Sequence, residues 1–360
     1  METAYETLGV TDANKTQAFG LLLDSLRQTL TFRADIGKVM LDFGHFANII
    51  KLTDDLGLAI STDGVGTKVL IAQELNKYDT IGIDCVAMNV NDVICVGAEP
   101  LSLVDYIAVE KVDSNLLGEL GKGLLQGARD SNISIPAGEI AQVKEMISGV
   151  REGFKFDLVG TCVGIVKLDE IIDGSRIAPS DVIIGLASSG IHSNGLTLAR
   201  HKLLTEGGLD LHQHFPDLGC TLGEELLKPT FIYVKPIMDL LKSRVDVKGL
   251  FHITSDGFMN IARANAKVGF VIDNLPKAPP IFELIQVVGC ITVEEMFTVF
   301  NMGIGFCVIV EEGSVVESLR ILARSSIPSF PIGFVNRGDH HTVEIPQMGL
   351  VSRDGKLART

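Results

Sequence analysis

Two domains of α/β or α+β architecture are what this 360-residue chain predicts, on three observations. The length exceeds one ordinary hydrophobic core, so two domains are expected. Strand-like and helix-like segments alternate through both halves. Apolar residues make up 46% and charged residues 21%, the balance of a globular protein. The 37 Gly and the absence of Trp add tight turns and close backbone approaches.

Taken in order, residues 15–31 carry apolar side chains at helical spacing and predict an amphipathic helix. Leu58–Ser61 is a short apolar run ending in the turn Asp63-Gly64-Val65-Gly66-Thr67-Lys68, after which the pattern is helical to Leu75. Asp84–Val96 is helical and apolar nearly all round, which predicts burial, yet it holds Asp84, Asn89, Asn91 and Asp92. Leu101–Val109 and Phe156–Val166 predict strands, with a helix at Leu116–Arg129 between them. The polar, turn-rich stretch 168–181 predicts a boundary, giving domains 1–168 and 169–345 and a tail 346–360. Asp181–Leu186 is a strand that breaks into the small-residue turn Ala187–Gly195, followed by a helix Leu196–Leu204. A helix near 231–242, the patch Gly249–Gly257 with a helix after it, a strand Met302–Val310 and part of a helix at Leu319–Arg324 complete the second domain.

The net charge of −14 argues against nucleic acid as a partner, since that binding needs a basic field to displace counterions. It leaves room for a phosphorylated metabolite, because Mg²⁺ reconciles carboxylates with phosphates. The six cysteines show no CxxC pair and sit mostly in apolar runs, which predicts buried free thiols in a reducing compartment. The polar start METAYETLGV is no signal peptide, and no apolar run approaches the ~18–20 residues that span a bilayer. No membrane partner and a cytoplasmic location are therefore expected.

Four clusters could carry chemistry. In the turn Asp63–Lys68, Gly64 and Gly66 let backbone approach a ligand, Lys68 brings a charge to a helix start, and Asp63 could hold Mg²⁺. The turn matches neither a Walker A loop nor a dinucleotide fingerprint, and an ordinary Gly-rich turn explains it as well. Asp84 and Asp92 are eight residues apart, which on a helix turns about 800° and leaves them on adjacent faces about 80° apart. A cap or one hydrogen-bonded core acid explains a single such residue; two acids and two amides in a greasy segment point to a divalent cation. Ser188–Gly195 lies between a strand and a helix, the position of ligand sites in open α/β sheets, and His192 there could meet phosphate or act as acid–base. A solvated turn histidine is the plainer alternative. His252-Ile253-Thr254-Ser255-Asp256-Gly257 adds a histidine and an acid at a strand end, with Asp256 alternatively a helix N-cap. Glu139, after Gly138, is either one more carboxylate for the site or a surface residue.

In order, these pieces resemble the aminoimidazole ribonucleotide synthetase family, phosphoribosylformylglycinamidine cyclo-ligases of purine biosynthesis. The resemblance rests on STDGVGTK (61–68), DTIGID (79–84), VAMNVNDVICVGAEP (86–100), IIDGS (171–175), SSGIHSNG (188–195), KPTFIYVK (228–235), HIT (252–254), FNMGIG (300–305) and the opening Tyr5…Gly9-Val10. It implies an N-terminal mixed sheet forming a barrel across a homodimer, a C-terminal sheet flanked by helices, and ATP in the cleft between domains and subunits. It implies ring closure of formylglycinamidine ribonucleotide with ATP and Mg²⁺, through phosphorylation of the formyl-amide oxygen and attack by the amidine nitrogen. Carried over by position, it places Lys68, His192 and His252 in catalysis. It places Asp63, Gly64, Gly66, Thr67, Lys68, Asn91, Ser193 and Asn194 at ATP, and Asp63, Asp84, Asp92, Glu139 and Asp256 around the metal.

The chain departs from the family pattern in three places where substrate is expected. Asp42-Phe43-Gly44-His45 stands for a Gly-rich loop, Ala137–Val143 keeps only the first acid of a Gly-Gly-Glu-Thr-Ala-Glu segment, and Ser255-Asp256-Gly257 replaces a glycine run. These departures leave two alternatives beside the cyclo-ligase. One is a related ATP-dependent enzyme acting on another amide or phosphorylated substrate; the other is a non-catalytic nucleotide-binding subunit.

Overall fold

The computed structural model describes residues 13–338, 341–353 and 355–360; the Tyr5…Gly9-Val10 segment lies outside them. The first sheet has five strands, β1 (Asn48–Lys51), β2 (Leu56–Gly64), β3 (Glu99–Val109), β4 (Ser134–Gln142) and β5 (Phe156–Lys167), in the order β1-β2-β5-β3-β4. Its pairs are antiparallel except β3–β4, which is parallel and connected by the helix Ser114–Ser131. Asp113 starts that helix by accepting the Asn115 and Leu116 N–H groups at 3.0 and 2.9 Å.

The chain then runs through 168–181 into a second, eight-stranded sheet. Its strands are β6 (Val182–Ala187), β9 (Val247–His252), β10 (Gly269–Val271), β11 (Ile304–Val310), β12 (Ser329–Asn336), β13 (Val343–Ile345), β14 (Leu350–Arg353) and β15 (Lys356–Arg359); β7 (His214–Phe215) and β8 (Cys220–Thr221) form a separate small hairpin. The order β15-β14-β13-β10-β12-β6-β11-β9 is antiparallel except for β10–β13. Both sheets are thus mixed and flanked by helices, an α+β arrangement. Residues 346–360, expected as a tail, instead supply β14 and β15 and bury Leu350 and Leu357 in the core.

The helix Ile81–Cys95 lies at the centre. It is buried all round, as its apolar composition requires, because it packs on β2 and β5, on the helix Ser114–Ser131 and on β9 of the second sheet. The larger hydrophobic core therefore runs unbroken from the first sheet through this helix to one face of the second. A smaller core covers the opposite face. Along β11, Phe306, Val308 and Val310 enter the larger core and Ile304, Cys307 and Ile309 the smaller one. The alternation breaks at Gly305, where the pairing with β6 shifts register. Gly305 and Phe306 consequently turn to the same face, toward the central helix.

Other expectations need adjustment. The helix Ala13–Arg27 and the 3₁₀ turn Gln28–Thr31 form where expected, but Phe19, Leu21, Leu22 and Leu26 stay exposed. The helix Leu196–Arg200 continues as a π-helix, His201–Glu206. The segment after the Gly249–Gly257 patch is a 3₁₀ helix, Gly257–Arg263. Cys85, Cys95, Cys162 and Cys307 are buried free thiols as expected, Cys220 is half-buried, and Cys290, which ends a helix in left-handed backbone, is exposed. Among the described residues no helix is long and apolar enough to cross a membrane.

Candidate active site

The chemistry-bearing residues meet where the central helix faces the second domain. β2 delivers Asp63 to its end, and Asn89 of the helix fixes the backbone there: its Oδ1 accepts the Asp63 N–H at 3.0 Å and its Nδ2 donates to the Asp63 carbonyl at 3.1 Å. The Asp63 carboxylate accepts the Gly64 N–H at 2.7 Å. Burial and the nearby Asp92 carboxylate push the Asp63 carboxyl up to about 6, against the opposing pull of the Gly64 N–H and His252. The following turn needs glycine at Gly66, whose φ is 71° and which faces the Ser193 carbonyl. Gly64 has no such requirement: its φ is not positive and a Cβ there would make ordinary contacts.

Asp92 points across the domain boundary and meets His252 Nδ1 at 2.9 Å. His252 is buried at the end of β9, and its Nε2 has no hydrogen-bond partner among the described residues. Asp92 accepts the Nδ1–H, which in a neutral ring leaves Nε2 as a lone-pair acceptor.

Asp84, on the adjacent helix face, enters a different arrangement. Lys68 Nζ lies 2.9 Å from both its carboxylate oxygens, with neither side chain accessible to solvent. Asp84 Oδ1 also accepts the Thr230 N–H at 2.8 Å, the Thr230 hydroxyl at 2.7 Å and the Ser193 hydroxyl at 3.1 Å. Lys68 donates further to the Lys228 carbonyl at 2.6 Å. Burial lowers the Lys68 pKa, opposed by Asp84. The lysine expected at phosphate and an acid expected at the metal therefore neutralise each other in a sealed knot joining the domains, and neither faces an open cleft. Asn91, expected at ATP, is likewise consumed. Its Nδ2 donates to the Phe231 carbonyl at 2.8 Å and its Oδ1 accepts the Tyr233 N–H at 2.9 Å.

The Ser188–Gly195 loop closes over this junction. His192 is buried, not solvated, and held at φ 62°. Its Nε2 accepts the Ser189 N–H at 3.2 Å, while its Nδ1 has no hydrogen-bond partner among the described residues. Burial, then His252 and Lys68, lower its pKa well below 6.5, so the ring is neutral. Asn194 is half-buried beside it, and Thr67 meets Thr197 through their hydroxyls at 2.9 Å.

Two expected ligands stand apart. Glu139 pairs in register with Tyr106 and Val159, one position out of phase with the row Asp63–Gly160–Asp105–Gly138, so it lies on the opposite face of the first sheet. Asp256 is 67% exposed, 3.9 Å from Arg263. It occupies the N-cap position at φ 75° but its side chain makes no cap hydrogen bond, so it is not a side-chain cap. Among the described residues no three His, Cys, Asp or Glu converge as a ready metal set. The five acids separate into the Asp63/Asp92 pair, the neutralised Asp84, and two residues elsewhere.

Chemical type alone missed Thr230, which gives Asp84 two of its hydrogen bonds; it marked Asn89 as one of two amides in the greasy helix, but not its role of clamping Asp63. The polar Asn in an apolar helix was a visible signal; Thr230 had none apart from the KPTFIYVK resemblance.

Comparison with known proteins covers both domains. Residues 44–166 match the N-terminal domain and residues 178–346 the C-terminal domain of the AIR synthase related proteins. The phosphoribosylformylglycinamidine cyclo-ligase of Methanocaldococcus jannaschii is 47% identical over 316 residues, 87% of this chain and 88% of that one. The protein of the same name from Methanothermobacter thermautotrophicus is 45% identical over 325 residues, 90% and 93% of the two chains. Among solved structures, AaThiL complexed with AMPPCP and TMP has a TM-score of 0.61 at 15% identity, covering 91% of this chain and 93% of that one. The hydrogenase maturation protein HypE in complex with ATP has 0.57 at 19%, covering 82% and 83%. These last two share the fold. The identity to the methanogen proteins, sustained across both domains and nearly the full length of each, makes this chain a member of the phosphoribosylformylglycinamidine cyclo-ligase family.

Proposed function

We propose that the chain closes the imidazole ring of aminoimidazole ribonucleotide from formylglycinamidine ribonucleotide, consuming ATP and releasing ADP and phosphate. The observation that carries this reading is the 47% identity to a named cyclo-ligase over 87% of the chain. An amide oxygen is a poor leaving group, and phosphorylation makes it a good one. In the first step the formyl oxygen bonds to the γ-phosphorus, the bond to ADP breaks, and the formamide N–H proton passes to His252 Nε2. In the second the amidine nitrogen bonds to the activated carbon and sheds its proton, phosphate leaves, and a proton shift from the ring CH₂ to the exocyclic imine nitrogen completes the aminoimidazole. Asp92 orients His252 and stabilises it as it takes the proton.

Mg²⁺ fits Asp63 and Asp92, because the strain of two neighbouring carboxylates shielded from water, written in the raised Asp63 pKa, is what a divalent cation relieves. When bound, Mg²⁺ supplies neutralising charge at the ATP phosphates. Gly66, Thr67 and Ser193 shape the backbone around the nucleotide, while Lys68, Asp84 and Asn91 hold the junction rigid. The working form is a homodimer: Ile60, Leu101, Val104 and Tyr106 leave the first sheet with an exposed apolar face that a second copy would cover. Glu139 lies on that face and would reach a site only through the dimer.

The test is to incubate purified protein with ATP, Mg²⁺ and formylglycinamidine ribonucleotide and follow the aminoimidazole product. ADP release without that product would replace the reading with another ATP-dependent amide chemistry.

A further inference from the structure

The buried junction holds two imidazoles that each keep one nitrogen without a protein partner, and their hydrogen-bonding characters are opposite. His192 Nε2 accepts the Ser189 N–H at 3.2 Å, so it carries the lone pair and the proton sits on Nδ1. His252 Nδ1 faces Asp92 at 2.9 Å, so Nδ1 carries a proton that the carboxylate accepts, and in the neutral ring Nε2 holds the lone pair. With both rings neutral, the two atoms without a partner among the described residues are a donor on His192 and an acceptor on His252.

The bulge in β11 brings them to one face of the sheet. The His192 ring sits over Gly305, where an added Cβ would overlap its Cε1 and the Tyr233 hydroxyl. His252 pairs across the sheet with Phe306, and their rings are 6.3 Å apart. Tyr233 joins the two, with ring centroids 6.3 Å from His192 and 5.2 Å from Phe306. An unsatisfied buried donor and acceptor each cost free energy comparable to a lost hydrogen bond, so their joint presence calls for a group that satisfies both.

We propose that His192 and His252 form a donor–acceptor clamp of fixed tautomer for a planar amide: His192 Nδ1–H donates to the carbonyl oxygen and His252 Nε2 accepts the N–H. This rests on the cyclo-ligase reading and deepens it, assigning the clamp to the formamide of the substrate. His192 is then a neutral donor that polarises the oxygen, not an acid–base group. Ser189, through its backbone N–H, and Gly305, by leaving room for the ring, are positioning residues. The burial that holds His192 neutral, with His252 and Lys68 beside it, suits this role.

Two measurements test it. ¹⁵N NMR of the histidine rings in the wild-type protein should show His192 protonated on Nδ1 alone from pH 6 to 8; a proton on Nε2, or on both nitrogens, overturns the clamp. The second compares His192→Asn with His192→Gln. Asparagine adopts left-handed backbone readily and places an N–H donor near the Nδ1 position, whereas glutamine carries it too far out. His192→Gln should lose about 10²–10³ in kcat, as when one donor to a developing oxyanion is removed. His192→Asn should retain clearly more, with an unchanged pH profile. Equal losses in the two variants, both folded by circular dichroism, overturn the clamp while wild-type turnover leaves the cyclo-ligase reading standing. Failure of the wild type to form the aminoimidazole product removes that reading instead, and the assignment to formamide with it.

Discussion

Replacing Lys68 by methionine keeps the aliphatic stem and removes the cation that, among the described residues, pairs with Asp84 at the domain junction. Both side chains are fully buried with their charges 2.9 Å apart, and breaking such a pair by removing one partner costs about 3–5 kcal/mol. Asp84 would retain the Thr230 N–H, the Thr230 hydroxyl and the Ser193 hydroxyl, which places the expected loss at the lower end, about 3 kcal/mol. The Lys228 carbonyl also loses its donor, adding about 1 kcal/mol. Urea unfolding of Lys68→Met, Asp84→Asn and the double variant measures this as a double-mutant cycle. The double variant should be less destabilised than the sum of the singles, by a coupling of about 2 kcal/mol. Additive losses would mean that the pair is not the anchor described here. A Lys68→Met protein of normal stability without ATP turnover would restore the phosphate-clamp role that the glycine-rich turn first suggests.

Asp63→Asn addresses the metal site through pH. A carboxyl raised from 3.8 to about 6 stabilises the fold below pH 3.8, and that contribution is lost as pH rises through 6, at a cost of up to about 3 kcal/mol. The variant should therefore melt higher than wild type at pH 7.5 without Mg²⁺, lose the melting rise that Mg²⁺ gives the wild type, and lose turnover; a lower melting temperature at pH 7.5 contradicts the repulsion. Asp256→Gly should leave the half-saturating Mg²⁺ concentration and melting temperature unchanged, whereas Asp256→Ala should cost about 1 kcal/mol through its left-handed backbone. A shifted Mg²⁺ requirement in either would return Asp256 to the metal. Val104→Glu on the exposed sheet face should convert a dimer to monomers in sedimentation, and a wild type that already sediments as one chain rejects that interface.

Hydrophobic periodicity carried most of the fold. The central helix could be read as buried because it is apolar all round, and the alternating segments at 101–109 and 156–166 form strands. The last two strands were illegible because Leu350–Arg353 and Lys356–Arg359 are four residues each, lack apolar–polar alternation, and are stable only as additions to an existing edge. At the site, eight-residue spacing correctly separates Asp84 and Asp92 onto different faces. What it cannot express is partner choice across the boundary: whether Lys68 meets a phosphate or Asp84 depends on Thr230 and Lys228, some 145 to 160 residues away. Glu139 illustrates a further limit, since a strand register one residue different would have turned it toward Asp63.

The single core that passes through Ile81–Cys95 has a consequence for dissecting the protein. A fragment ending in the 171–181 connection would strip Asp84 of Thr230 and Ser193, leave Asn91 without Phe231 and Tyr233, and bare the side of the helix that β9 covers. Such a half would aggregate when produced alone. Produced together, the two halves carry complementary buried groups, so the chain is suited to a split reporter whose signal appears only on reassembly.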